Sequence, residues 1–384
     1  MWRGRPLWAE IDLDAVTGNV AALRRRLPPG TEFMAVVKAN AYGHGAVQVA
    51  RAALAGGATW LGVNLADEGV QLRRAGLGCR ILVLGYVPPW EAEKVVFHSL
   101  TPTVNTLQQA LAVSSASRWR GQATPVHVKV DTGMSRYGLL PDEVVPFLRR
   151  MNTLPHLRFE GLWTHFATAD EADKSFAHQQ LALYQQVVRR LDEAGLRPRY
   201  RHVANSAATL DLPEAHLDLV RCGIATYGLA PSAACGWEEL RPAMSLKARV
   251  GRVRRLPAGT SVGYGRTFVA ERDVFAALVP GGYADGLRRC LSNLGEVLVR
   301  GRRARILGRV SMDQMVVDVT DIPDVEVDDE VVIMGRQGEE SITADDLAAW
   351  MDTINYEVVT GVAARVPRLY LRDGQEVATE TLVD

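Results

Sequence analysis

The stretch Phe33-Met34-Ala35-Val36-Val37-Lys38-Ala39-Asn40-Ala41-Tyr42-Gly43-His44-Gly45 governs the reading of the whole chain. Its first five residues are an uninterrupted apolar run, which suits a strand covered on both faces better than one half-exposed to water. A lysine follows at the C-terminal end of that strand, the end at which strand-and-helix folds gather their chemistry. A desolvated lysine amine there is the usual route to a Schiff base with a carbonyl compound. On position alone Lys38 is equally a strand-end lysine whose stem snorkels to water, so its company must separate the two.

Outward from this stretch, short apolar runs alternate with helical ones. The spacing predicts strands at Met34 to Lys38, Trp60 to Leu65, Ile81 to Gly85, Thr101 to Asn105, Val126 to Val130, Phe159 to Thr164, Arg201 to Ala204 and Leu219 to Gly223. Helical periodicity falls between them, most clearly over Ala46 to Ala55 and Ser175 to Glu193. This rhythm marks an α/β chain with a parallel sheet, and its span matches a (β/α)8 TIM barrel. A doubly wound open sheet is the competing architecture, but the G-x-G-x-x-G turn it uses for dinucleotides is missing. From about Pro242 the pattern changes to short strands separated by turns, such as Lys247 to Val253, Phe275 to Val279, Glu296 to Val299, Met315 to Val319 and Glu330 to Met334. The expected division is therefore a barrel over residues 1–240 and a mostly-β domain over 241–384. The early strand Leu7 to Ile11 has no natural place in the barrel and is expected to pair with the second domain.

Composition narrows the function. Lys+Arg and Asp+Glu both number 44 in a chain of 384 residues. This balance gives no basic footprint for nucleic acid and no polybasic membrane patch, leaving a small molecule as the expected partner. No run reaches the roughly 20 apolar residues of a membrane helix, and the N-terminal acidic residues interrupt any signal-peptide core. Cys79, Cys222, Cys235 and Cys290 form no C-x-x-C pair, so no metal site is expected and reduced thiols of a cytoplasmic protein are. The positive charge is mostly arginine; the only lysines are Lys38, Lys94, Lys129, Lys174 and Lys247.

If the barrel is right, Lys38, Tyr42, Lys129, Asp131, Arg136, His165, Asn205, Ser206, Arg221 and Tyr227 converge on its mouth, a cationic setting suited to an anion rich in phosphate or carboxylate oxygens. Alternation in Val126-His127-Val128-Lys129-Val130-Asp131 puts His127, Lys129 and Asp131 on one face. An inward lysine needs a counter-anion, a lowered pKa or a modification. The small residues at Asn205-Ser206-Ala207-Ala208 and Ile224-Ala225-Thr226-Tyr227-Gly228 are either ordinary turns or the backbone N–H groups of a phosphate cradle. Tyr264, between Gly263 and Gly265, reads by composition as a half-buried packing tyrosine.

Taken in order, Trp8-Ala9-Glu10-Ile11-Asp12, Val37 to Gly45, Lys129-Val130-Asp131-Thr132-Gly133-Met134-Ser135-Arg136, His165-Phe166-Ala167, Asn205-Ser206, Gly263-Tyr264-Gly265-Arg266, Met312-Asp313, Asn355-Tyr356-Glu357 and Val366-Pro367-Arg368 resemble the alanine racemase family over nearly the whole chain. The resemblance implies pyridoxal 5'-phosphate bound covalently to Lys38, with Lys38 and Tyr264 as the two bases acting on opposite faces of the substrate Cα. It implies that Arg221 meets the cofactor's ring nitrogen with His165 orienting it. Tyr42, Asn205, Ser206, Gly223, Ile224 and Tyr356 would bind the cofactor, and Arg136 with the backbone N–H of Met312 would bind the substrate carboxylate. It implies carbamylation of Lys129 by carbon dioxide, which supplies the anion that an inward lysine asks for. It also implies a homodimer with shared active sites, Tyr264 coming from the partner subunit, and D-alanine supply for peptidoglycan. Cys222 and Ser311 stand where the family commonly has proline and cysteine, which puts rate and substrate range in doubt rather than reaction type. The alternatives are a serine or broader-specificity racemase, and a pyridoxal-phosphate carrier without turnover. A decarboxylase of similar fold would want a carboxylate where Arg221 stands.

Overall fold

The first strand, β1 (Leu7–Asp12), is not part of the barrel. The computed structural model describes residues 4–235 and 239–383. Two compact units divide the chain: Ala15–Ala41 with Ala46–Arg241 in one, and Met1–Asp14, Tyr42–Gly45 and Pro242–Asp384 in the other.

The first unit is a closed barrel of eight parallel strands: β2 (Glu32–Val36), β3 (Trp60–Val63), β4 (Arg80–Val83), β5 (Thr101–Pro102), β6 (Thr124–Lys129), β7 (Leu157–Trp163), β8 (Tyr200–His202) and β9 (Leu219–Cys222). Each pairs with the next in sequence, beginning with Met34 opposite Trp60 and Leu61 opposite Ile81. Two seams are narrow. A single bridge between Thr103 and His127 joins β5 to β6, and Arg221 N donates to Ala204 O at 3.0 Å between β8 and β9. Closure comes where Glu32 of β2 pairs with Leu219 of β9. The β6–β7 register slips between Val126 and His127, because Phe159 faces Val126 while Gly161 faces His127. Glu160 is thus an extra residue on β7, a bulge of the kind that re-aims a side chain.

The helices between strands follow from local sequence. In Leu107–Arg120, Thr106 caps the start by accepting from Gln109 N, Gln109 reaches back to the cap, and Gly121 closes the end at φ +69°. Val113 and Ala110 bury their side while Trp119 stays in water.

In the second unit β1 lies inside an eight-stranded sheet, antiparallel to Met244–Arg249 through Leu7 opposite Ala248 and parallel to Arg368–Arg372 through Ala9 opposite Arg368. Leu7 and Ile11 are fully buried there. A three-stranded sheet of Arg252–Leu256, Val274–Val279 and Met315–Asp318 stands apart from it. The expected single strand Lys247 to Val253 is two strands belonging to these two sheets. The break comes where Val250 N bonds to Asp329 O and Gly251 N to Leu278 O, so neighbouring amides are claimed by different sheets. The C-terminal hairpin Arg368–Arg372 with Gln375–Glu380 and the helix Asn355–Thr360 complete the unit.

Tyr42–Gly45 packs with this second unit. Arg368 Nε donates to Gly43 O at 3.2 Å, and a Cβ on Gly43 would run into the Val359 carbonyl. Gly43 sits at φ +84°, and Gly76 sits at a similar φ of +82° with open space around it. Gly76→Ala should therefore cost about 1 kcal/mol, the backbone term alone, and Gly43→Ala about 3 kcal/mol, because a carbonyl must also move. Thermal melts of the two variants check this ordering.

Candidate active site

Lys38 leaves β2 into a turn that is neither glycine-rich nor right-handed. Ala39, Asn40, Ala41 and Tyr42 all hold φ near +52°, one left-handed helical turn built from L-residues. Such a turn costs on the order of 1–2 kcal/mol per residue, and specific bonds hold it. Glu68 accepts from Ala39 N at 2.6 Å with one oxygen and from Asn64 N and Leu65 N at 2.7 and 3.0 Å with the other. Asn40 Oδ1 accepts from Ala46 N at 2.8 Å. The Lys38 amine is half-buried, and burial together with the charge of Arg136 lowers its pKa, partly offset by Glu68.

Arg221, at the end of β9, is 3% exposed and touches no carboxylate in its hydrogen bonds. Its Nη1 meets His202 Nδ1 at 3.1 Å and His202 O at 3.0 Å. Its Nη2 donates to Thr164 O at 2.8 Å and Val203 O at 3.1 Å and lies 3.3 Å from His165 Nδ1. Burial pulls the guanidinium down to about 10, which leaves it charged at neutral pH. His165 is driven well below the usual imidazole range by burial and then by Arg221, Lys129, Arg136 and Lys38, so it is a neutral acceptor. The sequence reading gave Arg221 one orienting histidine. The second, His202, escaped notice because the three-residue strand β8 is too short for its alternation to show which side chain faces inward.

Lys129 is 3% exposed, with its Nζ 4.8 Å from the Trp163 ring centre and 5.9 Å from that of Tyr137. Burial, Arg136 and Arg221 bring its pKa down to about 8. Arg136 itself is exposed, on a loop shaped by Asp131, whose Oδ1 accepts from Gly133 N and Ser135 N at 2.9 and 3.0 Å. Asn205 caps the short helix Ser206–Asp211 by accepting from Ala208 N at 3.0 Å. Ser206 Oγ accepts from Gly223 N at 2.9 Å and Ala225 N at 3.4 Å, tying that helix to the turn that starts at Ile224. Cys222 is buried and its thiol pushed up to about 12, an inert packing group.

The second unit holds the remaining sequence candidates. The rings of Tyr42 and Tyr356 lie 6.2 Å apart. Tyr264 is 72% exposed, which overturns its compositional reading as a half-buried packing residue, and it lines a cleft of about 620 Å³ with Ser311, Met312 and Asp313. Among the described residues no cluster of His, Cys, Asp and Glu could hold a metal ion.

Lys129 gives a test by linkage. Its pKa is about 8 when folded and about 10.4 when unfolded. Between these values the unfolded chain binds the extra proton, so stability rises with pH across that window. With Lys129 kept as the free amine in carbon-dioxide-free buffer, moving from pH 7.5 to 10 should add about 2 kcal/mol that the Lys129→Met variant does not gain, as read from urea unfolding of both proteins.

Similarity to known proteins identifies the family. Residues 11–231 match the family model "Alanine racemase, N-terminal domain" and residues 243–370 match "Alanine racemase, C-terminal domain". An alanine racemase of Symbiobacterium thermophilum is 50% identical over 95% of this chain and 97% of its own. The crystal structure of the Bacillus anthracis alanine racemase with bound L-Ala-P superposes with a TM-score of 0.93 at 38% identity, covering 100% of this chain and 99% of that one. A histidine racemase of Leuconostoc mesenteroides has a TM-score of 0.89 at 31% identity, covering 97% and 99%. The chain belongs to the alanine racemase family.

Proposed function

We propose that this isomerase interconverts L-alanine and D-alanine by a two-base mechanism, with pyridoxal 5'-phosphate as cofactor and Lys38 and Tyr264 as the bases. The observation that carries the reading is Arg221, a buried cation whose hydrogen bonds go to carbonyls and imidazoles rather than to a carboxylate. A guanidinium keeps its proton, so a ring nitrogen facing it stays unprotonated. The donor set fits the cofactor: an amine of lowered pKa at Lys38, a guanidinium for the ring nitrogen, and hydroxyl and N–H groups for the phosphate. Ser206 Oγ already accepts two N–H bonds, which turns its own proton outward as a donor. Tyr42, Asn205, Ser206, Gly223, Ile224 and Tyr356 are the residues that would hold the cofactor. When bound, pyridoxal phosphate withdraws electrons from the substrate and acidifies its Cα–H bond.

The chain's own residues then handle protons. Lys38 Nζ takes or returns the proton on one face of the Cα, and Tyr264 Oη does so on the other, supplied by the partner subunit of a homodimer. A lysine held below its ordinary pKa keeps more free amine at neutral pH, as a general base requires. Arg136 and the backbone N–H of Met312 hold the substrate carboxylate. A carbamate on Lys129 would replace one buried cation by an anion beside Arg136 and steady it. With a pKa of about 8, this lysine keeps enough neutral amine to react with carbon dioxide. The protein acts in the cytoplasm, where D-alanine enters cell-wall precursors. Among the described residues no helix is long and apolar enough to cross a membrane.

A second reading, racemisation of serine or a broader set of amino acids, is favoured by the likeness to a histidine racemase. Incubation with each pure L-amino acid followed by enantiomer-resolving chromatography separates the two. Alanine should dominate, and comparable turnover of serine or histidine would shift the reading to the broader enzyme. In the same assay Lys38→Ala should abolish both directions, and Tyr264→Phe should lower L-alanine turnover at least about a hundredfold and D-alanine turnover less. Equal mild losses would sink the two-base assignment.

A further inference from the structure

Behind Arg221 a line of buried polar groups runs down the barrel interior. His202 Nε2 lies 2.9 Å from His127 Nδ1, and His127 Nε2 lies 3.9 Å from Glu160 Oε2. Both histidines are fully buried and Glu160 is 3% exposed. Arg80 and Arg158 hold the other carboxylate oxygen at 3.3 and 3.2 Å. Two features of β7 exist to accommodate this line. The bulge makes Glu160 the extra residue opposite β6, and a Cβ on Gly161 would meet the His127 ring at 2.5 Å.

The first link fixes all the others. Arginine only donates, so the bond from Arg221 Nη1 requires His202 Nδ1 to accept. A neutral His202 then carries its proton on Nε2 and donates to His127 Nδ1. His127 in turn carries its proton on Nε2, pointing at Glu160. Burial lowers the pKa of both rings, consistent with neutral imidazoles. The charged groups that face His127 are Glu160, Arg80 and Arg221, with the rings of Trp60 and Tyr200 packed beside it.

We propose that His127 and Glu160 are positioning residues for Arg221: the Glu160 carboxylate orients the His127 and His202 dipoles in one direction, so that a lone pair is always presented to the guanidinium. At 3.9 Å the last contact is too long for a hydrogen bond and acts as a charge on a dipole in a dry interior. Glu160 thereby stands in, two side chains removed, for the carboxylate that Arg221 does not touch.

The test is two-bond 15N–1H correlation spectroscopy on 15N-histidine-labelled protein at pH 7, assigned with His127→Asn and His202→Asn variants. Both rings should be neutral Nε2–H tautomers in the wild type. Glu160→Gln should move the nitrogen shifts of both rings and lower kcat about tenfold while KM changes less than about twofold, and Glu160→Asp should recover part of kcat. A proton on Nδ1 of either ring in the wild type would overturn the proposal, as would a Glu160→Gln protein with unchanged histidine shifts and unchanged kcat. The spectroscopic arm requires no turnover, so it stands or falls independently of the racemase reading, on which the kcat arm rests.

Discussion

A guanidinium buried without a carboxylate against it is the constraint around which the barrel interior is arranged. Removing a lone cation from water costs several kcal/mol even after relaxation, and here the compensation comes from dipoles. Three carbonyls, those of Thr164, His202 and Val203, converge on Arg221 because β7 and β8 end at the same level. Two imidazoles, one at the mouth and one in the core, and the Trp163 ring 4.9 Å from the guanidinium carbon complete the set. A carboxylate in their place would neutralise the cation, and its field at the mouth would largely vanish. Dipoles solvate the charge without cancelling it.

The same economy governs Lys38. A lysine side chain is long and flexible, yet its backbone is fixed by a turn that L-residues avoid. Four left-handed residues in succession store on the order of several kcal/mol, a concentration of strain typical of functional segments. Glu68 is the group that holds it, since one carboxylate binds both the turn and the start of the following strand-to-helix connection. A single acidic side chain therefore sets where the lysine begins and tempers how far its pKa falls.

The barrel strands β2, β3 and β4 were plain in the sequence as buried apolar runs, whereas β5 (Thr-Pro) and β8 (Tyr-Arg-His) are too short and polar to show one and were placed by the rhythm of the units around them. The long helix Ser175–Glu193 was equally plain. What the pattern hid was short, polar or locally strained. The left-handed turn has no glycine at its four positive-φ residues, so no composition rule finds it. The terminal hairpin pairs a partly buried strand with an exposed one that carries only Val377 as a large apolar residue, and the break at Val250 and Gly251 depends on which sheet claims each amide. In the candidate site the strand-end residues Lys38, His165 and Arg221 could be gathered from spacing once a barrel was assumed. His202 and Glu160 could not, because a three-residue strand and a bulge both erase the alternation that reports which way a side chain points.

The position of β1 gives the chain a problem of timing. Its two neighbours in the sheet, Met244–Arg249 and Arg368–Arg372, are made hundreds of residues later. At ribosomal speeds of roughly 5–20 residues per second, the second arrives some tens of seconds after the first strand has emerged. Until Met244–Arg249 is made both edges of the strand are open, and until Arg368–Arg372 is made one of them still is. Newly made protein thus carries an open strand edge until synthesis is nearly finished, and the first and last segments of the sequence must be treated as one cooperative element when the chain is shortened or fused.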